Sequence, residues 1–365
     1  MHSHKAAVIV TCITLVLFAS SCRRHTKPQL AFYHWSVNTS YGGGQRIDSV
    51  LHHFNNKTLY TKIMDIDWDE AYGVYPSTTV SMEQLRDRIG AFNSDTFHIT
   101  PVIFITVKAL QKTDDTAIAR LAQKIVLKTT RLVQDRNVYD NGVFKDIIDT
   151  MVHYDELQLD CDWTASTQKK YFALLTEIKK LLPQKSISST LRLHQFAYPQ
   201  KTGVPPADEL YLMCYNTGEL KKLNEANSIF NYAAAKQYFD RAGTYPKKLN
   251  FALPAFDWVI IFKNEKFYKI DNALDDDFFG DTTIVRPRIN NTWYMLVDTV
   301  VHNIFLRKGD VLKWEKITPG ALQQAAQLCR GAVNSSDFKV VLYDIDHIKP
   351  DQYEAVEKAF NSFVF

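Results

Sequence analysis

Eight short apolar runs, alternating with amphipathic segments, predict an α/β fold: a (β/α)8 TIM barrel with an inserted subdomain after the seventh strand. Three observations carry that expectation. The first is the alternation itself, which is the pattern of a parallel sheet wrapped by helices. The second is length. The chain has 365 residues, and a barrel uses about 250; a leader and one long insertion account for the excess. The third is a doubled motif: Asp65-Ile66-Asp67-Trp68 and Asp160-Cys161-Asp162-Trp163 each close an apolar run. Parallel barrels carry their functional groups at such strand ends.

The strands are expected at Leu30–Trp35, Leu59–Ile66, Ile99–Val107, Leu157–Asp162, Ser186–His194, Leu210–Tyr215, Leu249–Phe256 and Lys339–Ile345. Between them lie helix patterns. Thr116–Gln134 repeats Ile118, Leu121, Ile125 and Leu132 near a 3.6 period, and Ser166–Leu182 repeats Tyr171, Leu174, Leu175, Ile178 and Leu181. Asn231–Ala242 and Thr318–Ala332 are further helices, the latter opened by a Thr318-Pro319 cap and first-turn pair. Residues 257–316 form the insertion, with a strand at Trp258–Phe262, an acidic turn at Asp275–Asp277 and a helix over Trp293–Leu306. Residues 30–365 make up the barrel, residues 1–21 a signal peptide and residues 22–29 a polar tether.

Net charge is +3, and no basic block is interleaved with aromatics, which argues against a nucleic-acid partner. Aromatic residues make up 13% of the chain; this suits sugar faces stacking on rings, or simply an aromatic-rich core. At the N-terminus, Lys5 precedes the apolar stretch Ala6–Phe18 and then Ala19-Ser20-Ser21-Cys22. That stretch reads as an export signal, too short to span a membrane. Cysteine after small residues resembles the bacterial lipoprotein signal, with Ala19 where leucine is usual. The resemblance implies a lipidated Cys22, a membrane partner through that anchor, and a place in the cell envelope. Of the remaining cysteines after Cys12 and Cys22, Cys161, Cys214 and Cys329 are an odd number without CxxC spacing, so no disulfide framework is expected. Cys161 and Cys214 sit beside site-facing residues and are expected to point into the helix layer. No His/Cys cluster has metal spacing, and no metal or cofactor is expected.

Side chains alternate along a strand, so Asp65 and Asp67 share one face, and Asp160 and Asp162 share another. Paired like charges at a buried strand end are costly unless something uses or compensates them. They serve either chemistry or a structural network with Arg192. For Asp65 and Asp67 the structural role is favoured. Arg192 and His194 alternate on the fifth strand, where they would bind an anionic sugar or neutralise the aspartates. Trp35, Trp68, Trp163 and Trp258 all fall at strand ends, a platform for sugar stacking, although Trp68 and Trp163 alternate with the inward aspartates and so would face the helices.

Leu157–Thr164 resembles the fourth-strand signature of family 18 glycoside hydrolases, the chitinase-like barrels, where Asp-x-Asp-x-Glu closes the strand. Asp160 and Asp162 match its aspartates. Met213-Cys214-Tyr215-Asn216 is similar to that family's Met-x-Tyr-Asp on the sixth strand, with Asn216 in place of Asp. Phe251–Phe256 is similar to its seventh-strand Gly-Leu-Pro-x-Tyr. The resemblance implies a barrel acting on a glycan, with Asp160 and Asp162 as the carboxylate centre and Tyr215 and Asn216 placing the substrate. Trp35, Arg192 and Asp344 are expected to complete the binding site in a monomer. One position departs: Thr164 stands where the family's acid is glutamate, and a hydroxyl cannot protonate a glycosidic oxygen near neutral pH. Either another acid serves, Asp162 first because Asp160 would raise its pKa, or the barrel binds glycans without cleaving them. Asp69, Glu70, Glu219, Asp344 and Asp346 are further strand-end acids. A weaker third reading is a barrel that helps assemble envelope components without binding sugar.

Overall fold

The computed structural model describes residues 28–36, 43–81, 84–85, 98–135, 138–140, 143–145, 150–151 and 153–364. The signal peptide, most of the tether and Cys22 lie outside them.

Eight parallel strands close into a barrel: β1 (Gln29–His34), β2 (Thr58–Asp69), β3 (His98–Ile105), β4 (Glu156–Asp160), β5 (Ser186–Arg192), β6 (Glu209–Met213), β7 (Leu249–Pro254) and β8 (Lys339–Tyr343). Each pairs with the next in sequence, and β8 pairs with β1 to complete the ring. The expected fold and all eight strands are therefore present. Helices α1 (Gly43–His53), α2 (Ile118–Val133), α3 (Gln168–Leu181), α4 (Tyr232–Arg241), α5 (Pro319–Gly331) and α6 (Tyr353–Asn361) pack outside. Local chemistry sets their starts. The Asn231 side chain accepts from Ala234 N–H, and the Thr318 hydroxyl accepts from Ala321 N–H with Pro319 in the first turn.

Two apolar layers result. Outward residues such as Ile103, Leu159, Leu191, Leu212 and Leu253 meet the helices in the main core. Inward residues, including Tyr33, Tyr60, Val102, Tyr211, Ala252 and Val341, fill the barrel. The barrel's lower end holds a buried polar cluster. Lys339 Nζ contacts Glu156 Oε2 at 2.8 Å and Glu209 Oε2 at 3.2 Å, and the Tyr60 and Tyr211 hydroxyls meet at 2.5 Å. Above it Tyr33 donates to Gln158 Oε1 at 2.7 Å. Buried charge is tolerated there because Lys339 serves both glutamates.

Three local expectations are corrected. β2 runs on to Asp69 and pairs antiparallel with Gly73–Thr79, so the first Asp-x-Asp-Trp lies on a projecting hairpin. β5 ends at Arg192, and His194 belongs to a short helix, Leu193–Ala197, with its ring against Tyr198 and Tyr238. Trp293–Leu306 is not helical. It forms the strands Thr292–Met295, Thr299–Val301 and Ile304–Leu306; Thr292, Val300, Val301 and Ile304 are β-branched, a preference that overrides the helical spacing.

Between β7 and α5 the chain builds a five-stranded antiparallel sheet, in the order Lys266–Asp271, Asp257–Lys263, Val311–Lys316, Thr292–Met295 and Val285–Pro287. Alternation gives it two apolar faces. Val259, Ile261, Leu312 and Trp314 lie on one; Ile260, Phe262 and Val311 meet Leu220 and Leu223, from the loop after β6, on the other. Lys313 and Glu315, each 1% exposed, pair at 2.7 Å, and Glu315 also accepts from Ser228 N–H at 2.9 Å. The sheet is thereby fixed to the β6–α4 loop.

Candidate active site at the barrel mouth

A cavity of about 350 Å³ opens at the C-terminal end of the barrel strands. Trp35, Phe104, Asp160, Asp162, Arg192, Met213, Tyr215, Asn216 and Tyr343 line it from the barrel, together with Asp344 and His347 from the segment after β8. Phe256 follows β7, and Asp257, Trp258, Ile270 and Asn272 come from the inserted sheet and its edge.

All seven predicted catalytic and binding residues, Asp160, Asp162, Tyr215, Asn216, Trp35, Arg192 and Asp344, thus meet at one cavity. The rings form a connected wall. Tyr215 stacks on Tyr343 at 5.1 Å and 18°, while Trp35 meets Tyr343 edge-on at 5.5 Å. Phe256 sets its edge against Tyr343 at 5.2 Å and touches Trp258 at 5.3 Å. Trp258 is held from behind, its Nε1–H donating to Glu315 Oε2 at 2.9 Å. Asn216 has φ 55° and gives its N–H to Ile229 O at 2.7 Å, a left-handed turn that asparagine tolerates and that sends the chain away from the mouth.

The two aspartates of the second Asp-x-Asp-Trp differ sharply. Asp160 is 8% exposed, and its Oδ1 accepts from the Thr190 hydroxyl at 2.6 Å. Burial, aided by the neighbouring Asp162 charge, pushes its carboxyl up to about 7, against relief from Thr190, Arg192 and Lys62. Asp162 stands at the surface of the cleft, its Oδ2 2.7 Å from Arg192 Nη1. The acid expected to be held neutral was Asp162; the structure gives that environment to Asp160 instead, because Asp160 still lies within β4 and Asp162 lies beyond it.

Asp344 is the second buried acid. It is 6% exposed and its Oδ1 accepts no hydrogen bond from the protein. Burial and the Asp346 charge push it up to about 7, opposed by His347 and His34. His347 Nδ1 lies 2.7 Å from Asp257 Oδ1. Burial alone would depress His347, but Asp257 and Asp344 outweigh it and hold the imidazole up at about 9. Asp257 sits below the ordinary carboxylate value, since His347 and the Trp314 indole N–H outweigh its burial. Burial also raises the Tyr215 and Tyr343 hydroxyls well above their usual range, so both are neutral donors at any physiological pH.

The other candidate acids stand elsewhere. Asp65 pairs with Lys62 at 3.1 Å; Asp67 accepts from Thr106 Oγ1 and Trp68 N–H; Asp69 accepts from Ala71 and Tyr72 N–H. Asp346 accepts from or pairs with His34 at 2.9 Å, and Glu219 pairs with Lys222 on the surface. Thr164 is exposed and gives its N–H to Thr167 Oγ1 at the start of α3, outside the cavity lining. Trp163 stacks on Tyr171 among the helices, and Trp68 lies under Lys108 and Lys112, so only Trp35 and Trp258 of the four rim tryptophans face the cavity. Among the described residues no group of three or more His, Cys, Asp or Glu is arranged to hold a metal ion.

Phe104, Asp257, Tyr343 and His347 escape the sequence reading. Tyr343 is recoverable from alternation with Val341 and Lys339 along β8. Asp257 and His347 are not, because each lies beyond its strand, where no period assigns a direction.

No family model matches the chain, and no curated protein sequence matches it. Solved structures do. The spore cortex-lytic enzyme SleL of Bacillus cereus superposes with a TM-score of 0.55 at 11% identity, over 92% of this chain and 75% of that one. SleL of Bacillus megaterium gives 0.53 at 8% identity, over 93% and 75%. A Group IV chitinase of Ostrinia furnacalis gives 0.48 at 9% identity, over 92% of this chain and 99% of that one. At such identities the likeness to the two SleL enzymes concerns the fold alone, a (β/α)8 barrel.

Proposed function

We propose that this protein acts on a glycan at the mouth of its barrel through carboxylate acid/base chemistry. The observation that carries the reading is the cavity: a wall of Trp35, Tyr215, Phe256, Trp258 and Tyr343 closed around two buried acids, Asp160 and Asp344. Sugar rings present C–H faces that pack on aromatic rings and hydroxyls that hydrogen-bond carboxylates. An acid whose pKa stands near 7 keeps a proton to give at neutral pH, as protonation of a leaving oxygen requires. Asp160 and Asp162 form the carboxylate centre, with Tyr215, Asn216, Trp35, Arg192 and Asp344 placing the substrate. The chitinase-like motifs and the SleL fold support the same substrate class.

A second reading has its own support. Thr164, the position where the chitinase-like signature places its acid, is turned to the Thr167 cap of α3, and Asp162, at the surface of the cleft, is engaged by Arg192. On that reading the barrel captures glycans without cleaving them. Incubation with a panel of chitin, peptidoglycan and other cell-wall oligosaccharides decides between them. Product release that Asp162→Asn and Asp160→Asn abolish supports hydrolysis; binding without product supports capture; neither binding nor product removes both. We further propose that the monomer is exported and held in the cell envelope by lipid on Cys22. Fatty-acid labelling that Cys22→Ser leaves intact would refute that.

A further inference from the structure

The cavity's acidic groups outnumber its basic ones. Four carboxyl groups line it, Asp160, Asp162, Asp257 and Asp344, against two cations, Arg192 and His347. Arg192 is engaged by Asp162 at 2.7 Å and His347 by Asp257 at 2.7 Å. Neighbouring cations are engaged as well: Lys62 lies 3.1 Å from Asp65, and His34 lies 2.9 Å from Asp346. Asp160 and Asp344 are left over, both more than nine-tenths buried. Asp160 has a hydroxyl donor, Thr190, on one oxygen; Asp344 accepts from the Asp346 backbone N–H, and its Oδ1 has no protein donor. A buried acid oxygen without a partner is costly and calls for an explanation.

Aromatic rings surround these two acids. Ring faces carry negative partial charge and attract cations, most strongly when water is excluded. A buried acid with an unpartnered oxygen, set within an aromatic wall, is a poor fit for an anionic group and a good fit for an ammonium.

We propose that the cavity is selective for a glycan carrying a free amino group, an unacetylated amino sugar, with Asp344 as the counter-charge to its ammonium. This rests on the glycan reading above and narrows it. An acetylated amino sugar would bring an uncharged amide, which supplies no cation to pair with Asp344.

The test is binding of the full chain at pH 7, followed by calorimetry and by the fluorescence of Trp35 and Trp258. The probes are glucosamine trimer, its fully N-acetylated counterpart and trilysine. The expected result is that glucosamine trimer binds about tenfold tighter than the acetylated trimer and tighter than trilysine. Asp344→Asn should erase the preference between the two sugars, because the ammonium then loses its counter-charge. Equal or tighter binding of the acetylated trimer overturns the proposal and leaves the glycan reading standing. Binding of trilysine as tight as that of the glucosamine trimer, or no binding by either sugar, likewise overturns the proposal, whereas the glycan reading falls only if the wider glycan panel also fails to bind. A preference that survives Asp344→Asn overturns the role given to Asp344, and the wild-type comparison decides the ligand class even if that variant fails to fold.

Discussion

His347 Nδ1 and Asp257 Oδ1 meet at 2.7 Å, and that pair ties the segment after β8 to the first residue of the inserted sheet. Asp257 also accepts from Trp314 at 3.0 Å, so one carboxylate joins barrel, insertion and cavity wall. The proton on His347 depends on it. With His347 held at about 9 against an ordinary 6.5, the histidine's contribution to stability is full below pH 6.5 and is lost as pH rises through about 9. Asp257 is depressed below 3.8, so its share is present above that value and is lost on acidification. Asp257→Asn should bring the His347 titration, followed by NMR, down from about 9 toward 6.5. A His347 that still titrates near 9 in the variant would show that Asp344 alone holds its proton.

Asp160 works in the opposite sense to most surface carboxylates. Its folded value of about 7 lies above the ordinary 3.8, so the folded state binds its proton more tightly. The stability it contributes is present below pH 3.8 and is lost as pH rises through about 7. Above that point the wild-type protein carries the cost of a buried carboxylate. Asp160→Asn should therefore melt at a higher temperature than wild type at pH 8, with the gap closing near pH 5. On the hydrolytic reading the same substitution removes product release, since functional sites often hold groups that stability alone would discard. A variant that melts lower than wild type at pH 8 would contradict the environment assigned to Asp160.

Glu315 anchors Trp258 from behind the cavity wall while pairing with Lys313. Glu315→Ala leaves Lys313 charged and 1% exposed without its partner, a change expected to cost about 3–5 kcal/mol in denaturant unfolding. The double variant Lys313→Met with Glu315→Gln removes the charge and keeps an acceptor for Trp258, so it should recover most of that loss. If the double variant is as unstable as Glu315→Ala, the cost comes from packing rather than from the stranded ammonium.

Much of the barrel was legible because a parallel strand buried on both faces writes a continuous apolar run, and all eight such runs are strands. The site was legible where alternation and strand ends coincide, as at Asp160 and Asp162. It was not legible where the backbone leaves its strand. His194 sits two residues after Arg192, yet the chain turns into a helix at Leu193 and carries the ring away. Asp257 and His347 face the cavity only because the inserted sheet folds over the mouth, a tertiary fact that no local period records. The first Asp-x-Asp-Trp repeats the letters of the second, but β2 continues to Asp69, and its pairing with Gly73–Thr79 changes what those letters face.

The cysteines test the register of the site. Cys161 lies between Asp160 and Asp162, and Cys214 lies between Met213 and Tyr215, so alternation that turns the acids and Tyr215 to the cavity must turn both thiols to the helices. Both are buried in the main core, with Cys214 Sγ near Ala325 O of α5 and Cys329 on the same helix. Burial pushes the Cys161 and Cys329 thiols well above their usual range, and Asp160 and Asp162 add to the rise at Cys161. The thiolate is the reactive form, so a thiol reagent should leave Cys161, Cys214 and Cys329 unlabelled in the native protein and label all three in denaturant, read by peptide mass mapping. A one-residue slip in a strand exchanges its two faces. Rapid native labelling of Cys161 would therefore place its thiol toward the cavity and the aspartate pair toward the helices, and the carboxylate site would not exist.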